Sequence, residues 1–158
     1  MSEPGHSVSP PVAVGFAVIG FFALVIAGFG LLSLFLDAEV LAVPGLGPLP
    51  GVVAVALATL AFAGVMWVGA RRRHPRYTSA AVAAVAAFLA YLLGLLVGAV
   101  LAGIDAGRAL AALAGFATSW FAVVLALAAC VAGWSGIALV RTRAARPRWP
   151  WEKDDPAP

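Results

Sequence analysis

Arg71-Arg72-Arg73-His74-Pro75-Arg76 places four guanidinium groups within six residues, between long apolar runs on either side. An arginine at the centre of a membrane-spanning helix costs about 2.5–3.5 kcal/mol on insertion scales. Four together therefore belong in water, and a short basic loop is retained on the cytoplasmic side. With that loop placed inside, the runs on each side must start and finish their crossings accordingly. The cluster serves as a topology determinant and anionic-lipid contact, or alternatively as a docking site for an acidic partner. No nucleic acid is expected, because no recognisable reading module accompanies the positive charge.

Composition agrees with a membrane setting. Of 158 residues, 63% are hydrophobic and 11% charged, too few charges to cover a soluble domain. The net charge of +3 comes from nine arginines and Lys153 alone. Richness in Ala, Gly and Arg hints at a high-GC actinobacterial source. Cys130 is the single cysteine, which excludes an internal disulfide, and its apolar run suggests a small buried packing residue. The stretch 1–10 carries Glu3 and His6 but no basic residue, so it reads as a short cytoplasmic tail before a retained span rather than a signal peptide. Met1-Ser2 also lacks the glycine that myristoylation requires.

Four charge-free or nearly charge-free runs follow. Pro11 to Leu36 is about 39 Å long as helix, more than the roughly 30 Å of a bilayer core. Asp37-Ala38-Glu39 closes it, and Leu41 to Gly51 (LAVPGLGPLPG) has the Pro and Gly content of a turn-rich connection. Gly45-Leu46-Gly47 is no phosphate loop, since neither GxGxxG spacing nor GK[ST] is present. The second span is 51–70 and ends near Trp67, an interface anchor. The third, 77–103, begins near Tyr77 and repeats a small residue at every fourth place: Ala86, Ala90, Gly94, Gly98 and Ala102. Residues four apart share a helix face, and Gly94 to Gly98 is a GxxxG, so close helix packing is expected within the chain or against a second copy or partner. Ile104 to Arg108 forms a second external turn. The fourth span, 109–140, carries Thr118, Ala122, Ala126 and Cys130 as a second seam suited to face the third helix, with Trp134 near its inner end.

The tail, 141–158, adds Arg141, Arg143, Arg146 and Arg148 beside the membrane, Trp149 and Trp151 as anchors, and then an acidic end. The expected architecture is therefore all-α: a four-helix transmembrane bundle, up-down-up-down, in a bacterial cytoplasmic membrane, with both termini cytoplasmic. Its transmembrane domain covers 11–140.

Catalytic chemistry is hard to assemble from these residues. All seven carboxylates fall in loops or tails, including Asp37 and Glu39, whereas a small multidrug transporter depends on a membrane-embedded glutamate. Gly133-Trp134-Ser135-Gly136 matches the GxSG of rhomboid-type proteases, but the only histidines, His6 and His74, lie outside the spans, where neither serves as its base. Two separated histidines and one cysteine leave no metal or haem site, and no cofactor is expected. The function expected is a structural, accessory or interaction role without enzymatic activity. A small transporter or channel-like oligomer with an uncharged pathway is the alternative.

Two segments together suggest a family. Asp37-Ala38-Glu39-Val40 followed by Pro44-Gly45 and Gly47-Pro48-Leu49, and Arg146-Pro147-Arg148-Trp149-Pro150-Trp151-Glu152, resemble an uncharacterised family of small four-span actinobacterial membrane proteins. The resemblance implies location and topology only, because that family has no assigned activity.

Overall fold

The computed structural model describes residues 9–41, 47–71 and 78–141. They form five helices: α1 (Pro10–Leu36), α2 (Leu49–Ala70), α3 (Thr78–Leu101), α4 (Ala106–Ala117) and α5 (Trp120–Arg141). Four of them, α1, α2, α3 and α5, are long and apolar enough to cross a membrane. The N-terminal tail, the Arg72–Arg76 part of the basic loop and the tail beyond Arg141 lie outside the described residues.

Prolines and turn residues set the helix ends. Pro10 and Pro11 open α1, and Pro50 sits in the first turn of α2, where a missing N–H leaves nothing unpaired. Helix α2 thus begins at Leu49, two residues before the expected start of the second span at Gly51. At the end of α3, Gly103 takes a left-handed φ of 67°, Ile104 N–H donates to the Ala99 carbonyl and Gly103 N–H to that of Val100. This glycine cap satisfies carbonyls that the helix end would otherwise strand. Asp105 then caps α4 by accepting from Arg108 N–H, so the expected turn 104–108 is shorter and Ala106 to Arg108 are already helical.

Each long helix buries one stripe. Ala13, Ala17, Phe21, Val25 and Phe29 of α1 repeat every four residues, as do Ala54, Ala58, Phe62 and Met66 of α2. The other faces are apolar too: Leu34 and Phe35 are 77% and 80% exposed. Helices apolar all round belong in lipid or in a large core, and a water-facing surface would not carry such continuous apolar area. Adjacent pairs run α1–α2, α2–α3, α3–α5 and α5–α1, closing a four-membered ring. Levels are fixed by close approaches: Gly94 against Ala54, Gly98 against Pro50, Gly69 against Ser79, Gly28 against Val124 and Gly136 against Ala17. Every pair so matched is antiparallel. Asp37, Glu39, Asp105 and Arg108 accordingly share one end of the bundle (the Glu39 end), while Arg71 and Arg141 share the other.

The fourth run differs from expectation. One helix was expected over 109–140; the chain instead breaks at Thr118-Ser119 between α4 and α5. Thr118 Oγ1 donates to the Ala114 carbonyl at 2.8 Å and Ser119 Oγ to that of Phe116 at 2.7 Å. Each of these carbonyls also accepts a backbone N–H, from Thr118 at 3.1 Å and from Ser119 at 3.0 Å, so the hydroxyls are second donors that settle their own polarity locally where the helix stops. Replacing Thr118 by valine together with Ser119 by alanine removes only these second donors and is expected to cost about 0.5–1.5 kcal/mol. A lowered thermal midpoint in detergent would show it; an unchanged midpoint would mean that those carbonyls need no hydroxyl.

Candidate functional site

Two cavities meet at the Glu39 end. Near mid-bundle α1 and α2 touch through Phe21 and Phe62, stacked at 4.6 Å between centroids. Toward the Glu39 end they part. The glycines of α3 explain the parting: a Cβ on Gly94 would lie 2.5 Å from Ala54 Cα, and one on Gly98 equally close to Pro50 Cα. Helix α2 is drawn hard onto α3 there and away from α1. The gap is a cleft of about 590 Å³ between Phe22, Ile26 and Phe29 of α1 and Val52, Val55 and Ala56 of α2, with Tyr91 of α3 behind.

Tyr91 is 1% exposed and centres an aromatic cluster. It stacks on Phe116 of α4 at 4.1 Å and meets Phe29 edge-on at 6.1 Å. Phe29 also meets Phe121 of α5 edge-on at 5.5 Å. On an unbroken helix Phe116 and Phe121 would point about 140° apart. The break at Thr118-Ser119 lets both face Phe29, so the helix interruption and the aromatic cluster are one construction. Edge-on and offset stacked rings each contribute about 0.5–1.5 kcal/mol beyond their packing.

The rim is the segment after α1. Asp37 takes a left-handed φ of 48°, uncommon for a residue with a side chain, and Ala38 N–H donates to the Ser33 carbonyl. Ser33 Oγ in turn donates to the Ala38 carbonyl at 2.7 Å. These bonds fold the chain back over the bundle, where Leu41 reaches the first turn of α2 beside Gly51. Glu39 to Leu41 then partition the cleft from a second cavity of about 430 Å³, bounded by Leu36, Gly115, Phe116, Trp120 and Phe121. Both cavities are lined almost wholly by apolar groups. Arg108 pairs with Asp105 at 3.3 Å on the surface, an exposed bridge that adds little to stability. Among the described residues, Glu39 and Asp37 form no ion pair.

The residues singled out from the sequence fall in several places. Gly94 and Gly98 are buried against α2, whereas Ala86 and Ala90 are half-buried and Ala102 is exposed. The row that α3 buries along its whole length is instead Ala83, Ala87, Tyr91, Leu95 and Ala99, and the small-residue row flanks it, meeting α2 only at Gly94 and Gly98. Thr118 is exposed at the helix break, Ala122 is buried and Ala126 half-buried. Cys130, expected to be buried, is instead exposed. With Ala122 and Ala126 it borders a surface groove against Ala84, Val85 and Phe88 of α3, so small residues here leave a gap rather than a contact. Trp67 is 38% exposed and carries the Arg71 guanidinium 4.2 Å above its ring, a cation–π contact. Trp134 is 57% exposed on α5. Arg141 ends α5; Arg72, Arg73, Arg76, Arg143, Arg146, Arg148, Trp149 and Trp151 lie outside the described residues.

Ser135 Oγ donates to the Val131 carbonyl four residues back, the ordinary state of a helical serine. His6 and His74 are outside the described residues. Within those described, no three His, Cys, Asp or Glu side chains come together to hold a metal. Sequence reasoning passed over Tyr91, Phe29, Phe116 and Phe121. One signal was available: Tyr91 lies in the middle of the third span, and a phenol in hydrocarbon asks for protein around it.

A ring of four span-length apolar helices, with the described Asp, Glu and Arg residues all at its two ends, has the makeup of a membrane protein. Residues 8–158 match a family of unknown function, DUF6121, and the chain belongs to that family. No curated protein and no solved structure matches the chain.

Proposed function

We propose that this is a multi-pass protein of a bacterial cytoplasmic membrane that has no catalytic chemistry of its own and acts as a structural or accessory partner. The Arg71 end faces the cytoplasm and contacts anionic headgroups through Arg71, Arg72, Arg73, Arg76, Arg141, Arg143, Arg146 and Arg148. The Ala-, Gly- and Arg-rich composition supports an actinobacterial source. One observation carries the reading: every described ionisable side chain of Asp, Glu and Arg belongs to a helix end or connection, and Arg71 and Arg141 share an end. That is the arrangement a positive-inside bundle requires. A transporter would want a wet, polar route or an embedded charge, and the cavities at the Glu39 end are apolar instead.

A reporter fused after Pro158 is therefore expected to be active in the cytoplasm, and an alkaline phosphatase fusion there to be silent. Strong phosphatase activity would overturn the orientation. Purification in mild detergent is expected to bring down a membrane-protein partner or a second copy, seen as a complex heavier than one chain. A lone chain that carries a substrate across vesicles would instead favour transport.

A further inference from the structure

The cleft at the Glu39 end has a shape and a charge that together describe an occupant. Its walls, Phe22 and Ile26 on one side and Val52 and Ala56 on the other, lie on the outer face of the bundle, so it opens sideways between two span-length helices. Phe29 and Tyr91 close it at the back. A volume of about 590 Å³ falls in the range of small-molecule sites. Walls of this kind offer hydrocarbon contact and almost no hydrogen bonding, which suits an acyl chain entering from the bilayer. At the mouth stands Glu39, the one charged residue of the lining, held in place by the Ser33–Ala38 hydrogen bonds. The described part of this end carries three carboxylates against one guanidinium, and that guanidinium is already paired with Asp105. An anionic headgroup would be repelled there; an ammonium would find an unengaged carboxylate beside it.

We propose that the cleft binds a membrane lipid whose headgroup bears a net positive amine, its chain against Phe29 and Tyr91 and its headgroup at Glu39. The proposal rests on the membrane reading above but not on the orientation of the bundle. It is tested on the full chain, delipidated in a non-ionic detergent, by native mass spectrometry. The probes are dioleoyl trimethylammonium propane and dioleoyl phosphatidylglycerol, which share acyl chains and differ in headgroup charge. The cationic lipid is expected to bind about tenfold more tightly, the size of one charge-assisted contact. In Glu39→Gln that preference should vanish while the thermal midpoint stays put, because Glu39 is exposed. Ala56→Trp, which fills the cleft from an exposed position, should abolish tight binding of the cationic lipid. Equal affinity for the two lipids, a preference surviving in Glu39→Gln, or undiminished binding in Ala56→Trp overturns the proposal. Failure of the membrane reading itself would look different: the chain would stay monodisperse in buffer without detergent.

Discussion

A variant with leucine at both Gly94 and Gly98 is expected to lose the native bundle, seen as a collapse of the thermal transition and a broadened elution profile in detergent. The reason is distance. An added Cβ at Gly94 would meet Ala54 Cα at 2.5 Å, Ala54 N at 2.9 Å and the Val53 carbonyl oxygen at 2.9 Å. These are backbone atoms, which cannot swing aside as a side chain end can. Even Gly94→Ala forces α2 and α3 apart, at about 1–3 kcal/mol and roughly 2–12 °C of midpoint. Gly20 and Gly64 supply the control, because a Cβ at either meets nothing within 4 Å. Alanine at those two positions is expected to leave the midpoint unchanged or slightly raised. Comparable losses from Gly20→Ala and Gly94→Ala would refute the contact, since then glycine content and not helix approach would be what matters.

Tyr91→Ala is expected to cost about 3–5 kcal/mol, the range for removing a large buried ring. Its ring joins α3 to α1 through Phe29 and to α4 through Phe116, so the loss is felt on several elements at once. On the membrane reading proposed above, the cost comes from forfeited packing, because lipid offers the ring as apolar a home as the protein does. Tyr91→Phe keeps the stack and should stay within about 1 kcal/mol of the parent. Thermal melts of the three proteins in one detergent decide the matter. An alanine variant no less stable than the phenylalanine variant would remove the cluster from any account of the fold.

How much of this could be read beforehand depends on what kind of signal each feature leaves. Runs without charge are long-range and unmistakable, so the first three apolar helices were legible from Pro11, Gly51 and Tyr77 onward with ends shifted by a few residues, whereas the run from Ala109 holds a short helix before the span-length one that begins at Trp120. The break at Thr118-Ser119 was not legible. Hydroxyl side chains also sit inside unbroken membrane helices, and neither proline nor charge marks the spot. Gly94 and Gly98 stood out as a small-residue pair, but the helix they would approach did not. The cleft was still less accessible, because it is a consequence of two glycines pulling α2 one way while the Ser33–Ala38 bonds tie the following segment across the opening. Cys130 shows the same limit from the other side: an apolar neighbourhood in sequence says nothing about which way a residue faces when every face is apolar.

The pairing of the outermost helices has a consequence for biosynthesis. Helices α2 and α3 are joined by a short connection and can zip together as soon as both have left the ribosome. The face of α1 that bears Ala17 and Gly28 finds its counterpart only in Gly136 and Val124 of α5, the last helix to be made. On the membrane reading proposed above, α1 waits in the bilayer until translation reaches that point, with most of its helix contacts unmade, exposed to insertion chaperones and quality-control proteases. Ribosome stalling shortly before Trp120 should therefore leave a chain that is threaded but not yet assembled, and unusually short-lived.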